Sequence, residues 1–230
     1  MNGSRSARRG VTLTDAFAEF RRYPSPWMLG IALLVAVVAR IVARDWRITD
    51  ALVPVVMAAV FPFFEWMIHV VVLHWRPRSV AGLTVDPLLA RKHRDHHIDP
   101  RAVGLVFIPV QSLIGALVSA GAIALLVFPR TALGLSFLVT ILAFGLAYEW
   151  THYLVHTDYR PKRALYRAIW RNHRLHHFKN EHYWFAVTTP GTADRVLRTY
   201  PDPATVATSP TAKNLHSATG RAESVARERN

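Results

Sequence analysis

Twelve histidines stand in this chain of 230 residues, and ten of them fall in four short strings. The strings are His69 and His74; His93, His96 and His97; His152 and His156; and His173, His176 and His177. Helical positions three and four apart share a face, so the last two strings can each converge on one point. His69 and His74 are five apart, about 140° around an ideal helix, and converge only if the helix end loosens. A lone histidine near a helix end usually caps a carbonyl, but ten of them beside long apolar blocks would be costly without partners. The pattern points to metal. Ten imidazoles exceed the roughly four to six ligands that one ion accepts, so the count selects two ions. The chain has no cysteine, which leaves nitrogen and oxygen donors, and imidazole suits Zn, Cu, Fe and Ni alike.

Four further residues could support such a centre. Glu65 and Glu149 precede the first histidine of their helices by four and three positions, hence on the same faces. They could accept an outer ring N–H, occasionally ligate, or make an ordinary buried polar contact. Asp95 could orient a neighbouring histidine or lie exposed as a plain charge. His182, five positions after the last string, could join from a loop or sit on the surface. His216, near the C-terminus, is assigned neither role.

The elements that must position these residues are apolar blocks. Trp27 to Ala43, Ala51 to Leu73, Ala102 to Phe128 and Ala132 to Tyr148 are each about the ~20 residues that a helix needs to cross the hydrocarbon layer. The third block is long and carries Pro109 and Gln111, so its first residues are expected to run along the interface before the helix proper begins. Spans two and four end in near copies, Phe64-Glu65-Trp66-Met67-Ile68-His69 and Tyr148-Glu149-Trp150-Thr151-His152. Each is followed by a similar string, His93-Arg94-Asp95-His96-His97 or His173-Arg174-Leu175-His176-His177. A half-site is thus written twice.

Charge orients the chain. The net charge is +13, and of 28 Lys and Arg five precede the first span, six lie between spans two and three, and thirteen follow the fourth. Arg44, Arg47 and Arg130 alone fall in the opposite loops. Positive loops are retained on the cytosolic side, so both termini and the central loop are expected there. Nucleic-acid binding is the weaker reading of this charge. The first apolar block starts late and lacks a small-residue cleavage site, so it reads as a retained anchor.

The expected architecture is an all-α membrane protein with about four transmembrane helices and a cytosolic helical cap holding a histidine-rich dimetal site. Residues 1–26 form a cytosolic or interfacial segment, with a short helix expected from about Asp15. Residues 27–156 form the membrane domain, including the cytosolic loop 75–101. Residues 157–200 are aromatic enough to pack as the cap. Residues 201–230, rich in Pro, Ala, Ser and Thr, read as a disordered tail.

The four histidine strings, H-x4-H, H-x2-H-H, H-x3-H and H-x2-H-H, resemble the membrane fatty acid hydroxylase superfamily, also called the sterol desaturase family. The resemblance runs from about Phe61 to Pro201 and is greatest to the fatty acid 2-hydroxylase branch. Ile98-Asp99-Pro100, Gly104 to Pro109 and Thr151 to His156 resemble that branch, as does Phe185-Ala186-Val187 with Asp194 downstream. The resemblance implies two iron ions held by the ten histidines, with Zn able to replace iron on isolation. It implies O2-dependent hydroxylation of a fatty acid or acyl chain. The family's Phe-Gly appears here as Phe185-Ala186, and no haem-binding domain is fused to either end. Electrons are therefore expected from a separate donor of ferredoxin or cytochrome b5 type. Lipid or sterol desaturation and carotenoid hydroxylation share the chemistry and stay open. From another class, a membrane metal-binding or transport protein would also explain ligands, but a transporter should place them along a path near the bilayer midplane.

Overall fold

The computed structural model describes residues 11–216. Helix α1 (Leu13–Phe20) opens with a capping box in which Thr12 accepts from the Asp15 amide while Asp15 accepts from the Thr12 amide. Pro24 starts α2 (Pro24–Val42), a position where its missing N–H costs nothing. A 3-10 turn (Ile48–Ala51) leads into α3 (Leu52–Met67), which runs on as a π-helical turn, Ile68–Leu73. A small antiparallel hairpin follows, β1 (Arg78–Val80) and β2 (Leu83–Val85), with Ala81 and Gly82 both at positive φ in the turn. That hairpin is the one addition to the expected all-helical architecture among the described residues. Next come α4 (Leu88–Ile98), α5 (Val103–Val106), α6 (Val110–Leu126), α7 (Thr131–His156), α8 (Ala164–Phe178) and α9 (Thr192–Val196).

Four segments are long and apolar enough to cross a membrane: Pro24–Val42, Ile48–Leu73, Val103–Leu126 and Thr131–His156. The protein is a multi-pass membrane protein. Large apolar side chains such as Leu34, Val38, Val60, Val118 and Leu125 face outward, as a lipid solvent requires. The third segment breaks at Phe107–Pro109 between α5 and α6, where Pro109 has no N–H to continue the helix.

Helix α7 is the central post and packs against α2, α6 and α3. At its start, Gly134 lies against the Ala124 carbonyl of α6 so closely that a Cβ would collide with backbone. Near that end Arg40 donates to Asp50 (2.8 Å) and to Ser136 (3.0 Å), and Arg130 donates to Asp50 (2.9 Å). These bonds tie α2, the 3-10 turn and α7 together and give two of the three guanidinium nitrogens of an arginine buried inside an apolar span their partners. Toward the other end of α7, Phe20 of α1 meets Trp150, Tyr153 and Phe107 at ring-centroid distances of 5.0 to 5.6 Å, so α1 docks on the bundle.

The C-terminal stretch, expected as a disordered tail, is described as far as residue 216. Residues 201–216 form turns that bury Ala212 and Leu215, while residues 217–230, like residues 1–10, lie outside the described residues. Backbone bonds hold it: the Ser209 amide donates to the Lys179 carbonyl at 2.7 Å. Polar main-chain anchoring of this kind leaves no hydrophobic period in the sequence.

Gly134→Ala is expected to cost about 1–3 kcal/mol through overpacking, whereas Gly121→Ala, which meets open space, is not. Thermal unfolding of both variants in detergent measures the difference, and equal midpoints would contradict the close α6–α7 approach.

Candidate metal centre

The ten histidines of the four strings come together at one end of the spans, and all are buried except His74 and His156, which are partly so. They form two groups of five, in each of which the ring nitrogens lie within 4.8 Å of one another. One group is His69, His74, His93, His97 and His176; the other is His96, His152, His156, His173 and His177. The grouping differs from the order of the chain. Each H-x2-H-H string sends its first and third histidines, four apart on one helical face, to its own group and its middle histidine across to the other. His176 crosses one way and His96 the other, so the two written half-sites interlock.

The π-helical turn resolves the spacing of His69 and His74. The His74 amide donates to the His69 carbonyl at 3.0 Å, an i to i+5 bond, and this wider turn brings the rings to 5.1 Å between centroids. His152 and His156 need no such device, because their four-residue spacing fits the regular α7 helix. The extra residue in the first string is what the wider turn absorbs.

Ring orientation is set by main-chain carbonyls. His69 Nδ1 donates to the Phe185 carbonyl (2.6 Å), His97 Nδ1 to Ala212 (2.8 Å) and His176 Nδ1 to Tyr183 (2.9 Å). A neutral imidazole has one N–H, so each of these rings turns a bare Nε2 lone pair inward. Burial and the neighbouring imidazoles keep the cap rings uncharged: His97 is pushed down to about 4, and His93, His173, His176 and His177 well below the usual histidine range.

Within the groups, Nε2 atoms face each other at 3.0 to 3.2 Å: His74 with His176, His93 with His97, His96 with His156, and His173 with both His156 and His177. Two nitrogens held about 2.1 Å from one ion stand roughly 3.0 to 3.4 Å apart, so the spacing fits a shared cation. His69 Nε2 is buried without a hydrogen-bond partner. The donor set therefore fits two borderline metal ions and is poorly satisfied as a hydrogen-bond network.

The expected carboxylate helpers do other work. Glu65 accepts from the Val187 and Thr188 amides (3.1 and 2.9 Å) and the Thr188 hydroxyl (2.9 Å), and so pins the loop after α8. Glu149 accepts from the Ile108 amide (2.8 Å) and the Ser25 hydroxyl (2.9 Å), which fixes the break between α5 and α6 against α2. Neither touches a ring of either group. Asp95 is half exposed and pairs with Lys92 at 3.4 Å, and His182 is exposed beside Glu181; neither stands in the two groups of five. A carboxylate one turn before a histidine shares its face, yet at these positions it meets loop amides first.

Residues to which the sequence assigned no part in the site include Tyr183 and Ala212, whose carbonyls accept from ring N–H groups, and Trp184. Trp184 is fully buried at φ 55° between the Tyr183 and Phe185 carbonyls that hold His176 and His69. Asp194 accepts from the Phe185 and Ala186 amides, both at 2.9 Å, and supports that loop. Ala186 lies outside the positive-φ region, so its methyl is accommodated where the family pattern has glycine.

The fold and site together define a multi-pass membrane bundle whose spans end in two buried histidine groups able to hold metal, and the comparisons give its family. The family model for fatty acid hydroxylases matches residues 54–199, and the chain belongs to that family. A dihydroceramide fatty acyl 2-hydroxylase of Arabidopsis thaliana, FAH1, is 28% identical over 185 residues, which are 75% of this chain and 73% of the relative. The hydroxylase domain visible in the structure of full-length scs7p shares the fold, with a TM-score of 0.60 at 17% identity over 87% of this chain and 70% of that one.

Replacing Glu65 by Leu leaves the amides of Val187 and Thr188 buried without an acceptor, at about 1–3 kcal/mol for each group so stranded. Glu65→Leu should therefore unfold at lower temperature than Glu65→Gln, which keeps an acceptor oxygen. Indistinguishable melting curves would remove Glu65 from the support of this loop.

Proposed function

We propose that this protein is a membrane-bound di-iron oxygenase that hydroxylates an acyl chain of a lipid, using O2 and electrons from a separate donor protein. The observation that carries the reading is the pair of interlocked five-histidine groups at one end of four spans, in a chain of the fatty acid hydroxylase family. His69, His74, His93, His97 and His176 would hold one ion, and His96, His152, His156, His173 and His177 the other. Iron bound there supplies O2 activation and removal of a hydrogen atom from an unactivated C–H bond. The overall change is balanced as acyl C–H, O2, two electrons and two protons giving acyl C–OH and water.

The chain itself aims the nitrogens, keeps water out and seats the substrate. A cavity of about 40 Å³ borders His93 of one group and His96 and His152 of the other, with Phe107, Ile108 and Tyr148 among its walls. An acyl carbon placed there would meet both groups, with Leu73, Leu105 and Val106 also in the lining. The name of the Arabidopsis relative, a dihydroceramide fatty acyl 2-hydroxylase, favours a fatty acyl substrate. The distribution of basic residues supports a cytosolic site with both termini on that side, open to a donor of ferredoxin or cytochrome b5 type. A transport path would call for ligands near the midplane of the bilayer, whereas these gather at helix ends and in the cap.

Purified protein is expected to hold about two iron ions per chain and, with a reductase system and O2, to add one oxygen to lipid by mass spectrometry. A loss of two hydrogens instead would identify a desaturase. His176→Ala combined with His177→Ala removes one ligand from each group and is expected to lower activity on the order of 100-fold or more. Survival of activity in that double variant would make the proposed site wrong.

A further inference from the structure

We infer that residues 207–216 act as a strap that completes the first histidine group, with Glu181 as the positioning residue that fastens it. The inference rests on the di-iron reading above and goes beyond the family, whose match ends at residue 199.

The strap is fastened at one side to the end of α8. The Asn180 side chain donates to the Ala207 carbonyl (3.3 Å), the Ser209 amide donates to the Lys179 carbonyl (2.7 Å), and the Thr211 hydroxyl donates to the Glu181 carboxylate. Glu181 is only 2% exposed, a burial that a carboxylate tolerates when it holds such a donor. At the other side the strap reaches the histidines. The Ala212 carbonyl, in a residue 3% exposed, accepts from His97 Nδ1 at 2.8 Å, and His216 Nε2 lies 3.2 Å from the His74 carbonyl.

Both histidines that the strap touches belong to the first group. The Ala212 bond to the His97 ring and the His216 bond to the His74 carbonyl both run to the first group, while Nε2 atoms of the second group meet one another. The strap thus acts on the ion of the first group. With Nδ1–H held by Ala212, His97 presents Nε2 as a bare lone pair. Without that carbonyl the ring is released to rotate or to change tautomer, and loss of an outer partner of this kind typically costs 10–100-fold in metal affinity.

The test uses the full-length protein in detergent, loaded with ferrous iron, with metal per chain and the dissociation of each ion as readouts. Glu181→Leu removes the acceptor for Thr211, Ala212→Arg forces a long side chain into a filled position, and Thr211→Val is a milder version of the first. Each is expected to keep one ion as the unaltered protein does and to hold the other about 10–100-fold less tightly, while Glu181→Gln, which retains an acceptor oxygen, behaves like the unaltered chain. Two ions held with unchanged affinity in all three variants, or both ions weakened equally, would overturn the strap. An unaltered chain that takes up fewer than two ions would instead overturn the di-iron reading on which it rests.

Discussion

Everything else in this structure answers to one constraint, the crowding of ten imidazoles whose inner nitrogens meet in two groups. Nitrogens 3.0 to 3.2 Å apart can share a proton only pair by pair, and a ring whose outer N–H is already given to a carbonyl has only a lone pair to offer. A cation at each focus would gather those lone pairs as ligands. The rings cannot relax away because carbonyls of Phe185, Tyr183 and Ala212 grip their outer nitrogens. Those carbonyls are in turn aimed by Glu65, Asp194 and the left-handed Trp184. The support of the site is mostly backbone and carboxylate, one layer removed from the rings.

That arrangement explains what the sequence made legible. The four spans were readable because hydrocarbon demands long apolar blocks, and the ten histidines because their type and local spacing are so confined. The break at Pro109 was readable because proline removes a donor. The five-residue spacing of His69 and His74 was visible as a geometric misfit, and the π-helical turn is the answer that the fold gives to it. The family resemblance read from the strings agrees with the match over residues 54–199.

The rest was hidden for physical reasons. Which histidine joins which group depends on how α4 and α8 face each other, and spacing within one helix says nothing of that. Glu65 and Glu149 share a helical face with histidines, but which partner each meets is decided by loops far away in the chain, around Thr188 and Ile108. Ala212 acts through its carbonyl, so its side chain carries no signal at all. The segment around it looked like a tail because polar anchoring lacks a period.

The crossing of His96 and His176 has a consequence for how the protein is made. Each group draws on both halves of the chain, and each needs a histidine from α8, so neither can close before residue 177 has left the ribosome and α8 has docked. Three quarters of the polypeptide, including every span, must be inserted in the bilayer with seven of its ten site histidines still waiting for partners. Loading with the metal that these groups could hold would therefore come late in the life of the molecule, after an interval in which a threaded but unfinished bundle is kept intact by its apolar packing, the Arg40–Asp50–Arg130 ties and the Glu149 bonds to Ser25 and Ile108.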